Sequence, residues 1–493
     1  MRRVSAALAA AGFARAWGYA SLAGRRDAGR CPFYDLGTPP AAHSGGLRGA
    51  SGGGRAAAGL GKEEYYKALA SLDIGELYHA IADLMTSSQQ CWPADGPQDG
   101  DTPSYAGLFG RLAWHSSGTF RLIDGKGAAS GGVEGGRQRF WPEDEWRDNS
   151  NLDKARSLLG QVKHQFGDRV SWGDLIAFAG TVGIKASGGP AKKFCFGRVD
   201  DADGGKSVDM GVEGTESCSG PSCKTDAPCP AHFRWPEQDE ADHFRCNITQ
   251  PGGRLQGSHS VGLIYVYPEG PQLKATDPEF DGAKVHNRSP RLSALEVRDT
   301  FKGRMGWTDR ETVALIGGGH TLGRVHGNCA LAGTEWAGYQ ERGPHFEATP
   351  GSGRGPTDGT CGVGPDAGRG PNTVTSGFEG PWTRSPSRWN YDYFEGLLGE
   401  EWVPARSPAG GDQWQTANRS SSFARTMRLT SDMALAADET YRAVAAEYAR
   451  DRQLFDSDFA DAWYKLVHRS AAHPHQDDLE RDAGKCTDFG FVA

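Results

Sequence analysis

The chain has 493 residues, 37% of them hydrophobic and 24% charged, with a formal net charge of −8. That length allows a large buried core with residues left over for tails and loops. The acid excess argues against a polyanionic partner such as nucleic acid or an anionic membrane, and no apolar run approaches the roughly 20 residues of a membrane span.

In chain order, residues 1–26 are rich in Ala and Arg and carry no acid, the composition of an organellar transit peptide. The apolar stretch from Val4 to Ala14 follows Arg2-Arg3 like a signal-peptide core, which Arg15 cuts short. We expect a cleavable targeting segment over 1–30 and a low-complexity linker over 31–61. The main domain is expected over 62–470, with loop insertions at about 200–260 and 328–375, and a tail over 471–493. Apolar periodicity predicts helices over 63–70, 74–86, 105–117, 152–165, 173–186, 294–302, 309–316, 432–437, 439–450 and 455–468. Runs of the form [Ser/Thr]-x-x-[Asp/Glu] at Ser171, Ser293 and Thr308 mark helix starts. A short strand is expected near 194–196. The 70 glycines and 27 prolines gather in stretches such as 43–61, 125–136 and 343–370, so the expected fold is all-α with long loops.

Two histidine-bearing runs carry the chemistry. In the predicted helix 105–117, Arg111, Trp114 and His115 lie three and four residues apart and share a face. An imidazole beside a permanently charged guanidinium suits cleavage of an O–O bond. The imidazole moves a proton between the oxygens, and the cation stabilises the departing negative one. The second run, Gly317-Gly318-Gly319-His320-Thr321-Leu322-Gly323, follows the helix that Thr308 starts. Its glycines remove bulk before His320, which would let a flat macrocycle approach the backbone. Histidine is a standard axial ligand of haem iron. Each run alone also suits a plain role: a satisfied histidine in the first, a frayed helix end in the second.

Further segments fall in order around these two: Ala82 to Gln89, Trp92 to Asp95, Gln138-Arg139-Phe140, Leu152 to Arg156, Phe196 to Asp200, Gly262 to Gly270, Met305 and Ala462 to Arg469. With Arg111 to Phe120 and Gly318 to Gly327, the chain resembles class I haem peroxidases, most closely the N-terminal catalytic domain of catalase-peroxidases, from about Glu63 to Arg469. The resemblance implies the helical haem peroxidase fold, one haem b per chain, and reduction of hydrogen peroxide with electrons from a small-molecule donor. His115 would be the distal acid–base, Arg111 the charge stabiliser and Trp114 the indole over the haem. Asn149 would accept the distal histidine's other N–H. His320 would be the axial ligand and metal-binding residue, Asp432 the acceptor of its N–H, and Trp382 the indole that bonds Asp432. Trp114, Tyr265 and Met305 stand where those proteins carry a covalent Trp-Tyr-Met adduct tied to catalase activity. Asp148 would line the substrate channel, Arg469 resembles the mobile arginine of the catalase step, and Ser376 the serine near a haem propionate. By residue type alone, Asn149 equally suits a turn, Asp432 a helix cap, and Trp382, Tyr265 and Met305 core packing. Two alternatives stay open: a monofunctional class I peroxidase of the ascorbate or cytochrome c type, and a non-catalytic haem-binding protein.

The chain departs from that family in three ways. Catalase-peroxidases carry a second, degenerate copy of the domain, and neither histidine run recurs in these 493 residues. Peroxidase chemistry is therefore implied ahead of catalase turnover, and the oligomeric state stays open. Cys91 stands at a tryptophan position. Of the ten cysteines, Cys218, Cys223, Cys229 and Cys246 crowd one insertion, and Cys329 and Cys361 lie in another loop-rich stretch. An even, loop-located set suggests disulfides and an oxidising compartment, whereas zinc would call for CxxC pairs. Asn247-Ile248-Thr249 and Asn418-Arg419-Ser420 are glycosylation sequons. The expected location is the secretory pathway or cell exterior, with a plastid or mitochondrion as the alternative.

Overall fold

The computed structural model describes residues 60–89, 92–123, 128–140, 143–145, 149, 151–208, 268, 270, 288–329 and 373–492. Its helices are α1 (Lys62–Leu69), α2 (Ile74–Thr86), α3 (Ala106–Ser117), α4 (Leu152–Phe166), α5 (Trp172–Ala186), α6 (Gly205–Val208) and α7 (Pro290–Arg298), which runs into a π-helical turn over Asp299–Arg304. Then come α8 (Asp309–Gly319), α9 (Asp392–Gly399), α10 (Thr430–Ala437), α11 (Glu439–Arg450), α12 (Arg452–His468) and α13 (Asp478–Ala483). The strands are short: β1 (Arg121–Ile123), β2 (Ala128–Ser130), β3 (Phe194–Phe196), β4 (Arg324–Val325), β5 (Asn328–Cys329), β6 (Thr373–Val374), β7 (Gly380–Pro381), β8 (Trp402–Arg406), β9 (Asp412–Thr416), β10 (Met427–Arg428) and β11 (Lys485–Thr487). All pairs are antiparallel, and β10, β9 and β8 form a three-stranded sheet in that order.

Side-chain caps set several helix starts. Asp73, Ser171, Asp438 and Asp451 each accept a backbone N–H three residues on, and Thr308 with Glu311 closes a full capping box. The expected start at Ser293 is overturned. Pro290 takes the first helical turn, where its missing N–H costs nothing, and Ser289 Oγ accepts from Leu292 N at 3.3 Å. Ser293 is thus buried inside α7. The predicted ends of the other helices move by at most three residues. Helices α6, α9 and α13 and the three-stranded sheet are absent from the sequence expectation.

Two close approaches position the site. A Cβ on Gly180 of α5 would lie 2.5 Å from Ala113 Cβ, and one on Gly183 would lie 3.2 Å from the Ala106 carbonyl, so α3 beds directly on α5. On α8, a Cβ at Gly317 would lie 2.2 Å from the Phe394 ring and one at Gly318 would lie 2.0 Å from Phe459, so α9 and α12 press against it. Around both contacts runs one apolar core that includes Phe109, Leu158, Phe178, Val313, Phe394, Leu435 and Phe455.

The residues after 470, set apart above as a tail, pack on this body. β11 pairs with β3, with Cys486 opposite Cys195, and those two cysteines form a disulfide across 291 residues. Leu479 and Phe489 are buried. Among the described residues no helix is long and apolar enough to cross a membrane. Cys91, Cys218, Cys223, Cys229, Cys246 and Cys361 lie outside the described residues.

Candidate active site

A cavity of about 400 Å³ lies between α3 and the end of α8. From α3 it is lined by Arg111, Trp114 and His115, and their shared face is the one expected from the spacing. His115 is buried, and its Nδ1 lies 2.9 Å from Asn149 Oδ1. The orientation of that amide follows from its other end, where Asn149 Nδ2 donates to the Glu143 carbonyl at 2.7 Å. Oδ1 must therefore accept, Nδ1 carries the proton, and Nε2 keeps its lone pair. Nε2 has no hydrogen-bond partner among the described residues. Glu143 is in turn held by Arg137 and by Ser207, whose Oγ donates at 2.5 Å. Burial, then the charge of Arg111, holds His115 well below the usual value of 6.5. The imidazole is neutral and ready to take a proton.

Behind Trp114 the π-helical turn supplies Phe301, stacked on the indole at 5.4 Å and 11°. Met305 follows that turn and is buried. Its carbonyl accepts from Arg469 Nη1 at 3.0 Å, while Arg469 Nε donates to the Pro474 carbonyl at 3.0 Å. The Arg469 guanidinium lies over the Phe120 ring.

At the other wall His320 caps the C-terminal end of α8. The three glycines before it divide their work. Gly317 and Gly318 make room for Phe394 and Phe459, and only a Cβ on Gly319 would meet open space. The expectation that all three clear room for a ligand is therefore overturned for Gly317 and Gly318, and only Gly319 has open space beside it. His320 Nδ1 bonds Asp432 Oδ1 at 2.6 Å, and its ring stacks on Trp382 at 4.2 Å. Its Nε2 has no partner among the described residues. Asp432 is fully buried and accepts three more donors: Trp382 Nε1 at 2.8 Å, Tyr393 Oη–H at 2.7 Å and Leu429 N at 2.8 Å. Burial pushes this carboxyl up, but the charge and hydrogen bond of His320, with Arg428 and Leu429 N, leave it below the usual range. Asp432 is not the N-cap of α10 that residue type allowed; it sits at the third helical position and accepts from the N–H of the N-cap residue, Leu429.

Arg324, His326 and Ser376 also line the cavity. Arg324 Nη1 lies 3.5 Å from Asp99 Oδ2, and its Nε is buried without a hydrogen-bond partner among the described residues. His326 Nε2 lies 3.0 Å from Asp95 Oδ1; burial opposes its protonation, but Asp95 holds its pKa above the usual value.

Of the residues expected from sequence, Arg111, Trp114, His115, His320, Ser376 and Trp382 line one cavity. Asn149 and Asp432 each stand behind a histidine, and Met305 and Arg469 bond each other. Asp148 and Tyr265 lie outside the described residues. Sequence reasoning missed Tyr393, Arg428, Glu143, Arg324 and His326. The last two follow His320 by four and six residues, a cationic cluster that could have been noticed. The residues present fit a haem. The lining is largely apolar, an imidazole nitrogen without a partner among the described residues faces it, and Gly319 leaves open space beside that imidazole.

Comparison with known proteins agrees with this geometry. The sequence profile of the family described as peroxidase matches residues 94–451. A catalase-peroxidase of Natronomonas pharaonis is 38% identical over 431 residues, covering 84% of this chain and 51% of that protein. Those of Halobacterium salinarum and Salinibacter ruber are 37% and 36% identical, over 82% and 83% of this chain and 50% of each relative. The chain spans about half the length of the curated relatives it matches. With that match running through His115 and His320 of the cavity, the chain belongs to the peroxidase family.

Proposed function

We propose that this chain binds one haem b through His320 and reduces hydrogen peroxide with one-electron, small-molecule donors. The observation that supports this most is a single cavity in which α3 presents His115 with an amide behind it and the end of α8 presents His320 with a carboxylate behind it. Haem, when bound, supplies the redox chemistry. This chain's own residues manage the protons and the charge. His115 Nε2 takes the proton of one peroxide oxygen and hands it to the other, which then departs as water. Arg111 lines the same space and stabilises the negative charge that develops as the O–O bond lengthens. Asn149 keeps the imidazole in the tautomer that can do this.

The finer reading adds a Trp114–Tyr265–Met305 adduct and catalase activity. It is supported by Trp114 on the cavity and by Met305 four residues beyond the Phe301 that stacks on Trp114. The disulfide of Cys195 with Cys486 supports folding in the secretory pathway or cell exterior.

Oxygen release and dye oxidation by the haem-loaded chain, run beside Tyr265→Phe, test the reading. Oxygen release that collapses in the variant while dye oxidation persists is the expected result. Dye oxidation without oxygen release in either protein would leave a plain peroxidase of the ascorbate or cytochrome c type. Neither activity would leave a haem-binding protein without turnover.

A further inference from the structure

Asp432 receives two donors on one oxygen. His320 Nδ1 and Tyr393 Oη both reach Oδ1, at 2.6 and 2.7 Å, while Trp382 Nε1 and Leu429 N share Oδ2. Next to this group sits Arg428, with 0% exposure. Its guanidinium donates only to carbonyls: Trp382 O at 2.7 Å, Met427 O at 2.7 Å and Tyr393 O at 2.9 Å. It lies over the rings of Tyr393 and Trp402, at 5.0 and 4.5 Å. Among the described residues it has no carboxylate within ion-pair distance, and its Nε has no partner. A buried cation without a direct counter-ion is costly, and an apolar side chain could fill the same volume. The carbonyls it holds belong to Trp382 and Tyr393, the two side chains that donate to Asp432.

We propose that Tyr393 and Arg428 are positioning residues that weaken the pull of Asp432 on His320. Tyr393 competes with the imidazole for the same oxygen. Arg428 fixes both side-chain donors and adds a permanent positive charge beside the carboxylate. With its negative charge spread over four donors and drawn toward a cation, Asp432 takes less of the Nδ1 proton. His320 then has less imidazolate character and is a weaker donor to iron. The chain is thereby tuned toward a higher iron reduction potential and toward donors that are hard to oxidise, such as electron-poor phenols.

The inference rests on His320 being the iron ligand, and the test separates the two claims. The full chain, loaded with haem and reduced, is examined by resonance Raman for the iron–histidine stretch, and its midpoint potential is measured. The proteins compared are wild type, Tyr393→Phe, Arg428→Met and Arg428→Lys. Tyr393→Phe removes only a hydroxyl, so it keeps the test alive should Arg428→Met fail to fold. In Tyr393→Phe and Arg428→Met we expect the stretch at higher wavenumber, a more negative potential, and a lower ratio of electron-poor to electron-rich phenol oxidation. Arg428→Lys, which keeps the charge, stays closer to wild type. A stretch present in wild type and unmoved in Tyr393→Phe overturns the proposal while leaving His320 as ligand. No stretch in wild type overturns the ligand assignment and the proposal with it.

Discussion

The two walls of the cavity use the same side chain for different chemistry, and the residue behind each imidazole makes the difference. Behind His115 stands an amide whose carbonyl oxygen accepts one N–H and adds no charge. The imidazole stays neutral, and its Nε2 is a proton acceptor. Behind His320 stands a fully buried carboxylate that draws on the Nδ1 proton and makes Nε2 a stronger donor to a metal. On the proposed function, one neutral and one anionic acceptor are what separate an acid–base residue from a ligand.

The largest expected effect comes from removing the acid–base wall. His115→Leu should slow the reaction with peroxide by about 10²–10⁴-fold, read by stopped-flow absorbance of the haem-loaded protein, with haem content unchanged. A rate within a few-fold of wild type would mean the proton moves by another route.

On the other wall, Asp432→Asn keeps an acceptor but removes the charge. It should weaken haem affinity or turnover by roughly 10–100-fold and shift the midpoint potential positive. An unchanged potential would break the contrast between the two backers.

The glycines before His320 sharpen it further. Gly318→Ala must displace Phe459 and should lower the stability of the haem-free protein by about 1–3 kcal/mol. Gly319→Ala meets open space, so its melting temperature should hold while haem uptake falls. If both variants lose stability equally, Gly319 faces protein rather than the cavity.

The smallest effect concerns pH. Because His115 is held below 6.5, its protonation in the folded chain trails that of an ordinary histidine. The acid limb of the peroxide reaction should therefore begin below pH 6.5, and Arg111→Leu should move it upward. As a contribution to stability, a histidine with a lowered folded value favours the unfolded chain as pH falls below the unfolded value. Acid therefore costs stability before it protonates the native imidazole.

How much of this was legible depended on distance along the chain. The shared face of Arg111, Trp114 and His115 is a matter of helical spacing, and the start of α8 is written in Thr308 and Glu311. The roles of Asn149, Trp382 and Asp432 came from resemblance, because each is also at home as a turn, core or cap residue. Tyr393 was not legible. It sits on an eight-residue helix with no side-chain cap, and its partner lies 39 residues away. Arg428 reads as a surface cation until the fold buries it. The pairing of Cys195 with Cys486 spans 291 residues and cannot be deduced from a count of ten. The glycines misled for the opposite reason, since a local run looked like one device and the packing of Phe394 and Phe459 claimed two of the three.

The most direct measurement of the central claim is a haem titration of the purified chain beside His320→Gly, followed by absorbance and by the spin state of the ferric complex. The account predicts one haem per wild-type chain with a histidine-ligated spectrum, and in the variant loss of that spectrum with recovery on adding imidazole. Equal affinity and an identical spectrum in the two proteins would contradict it.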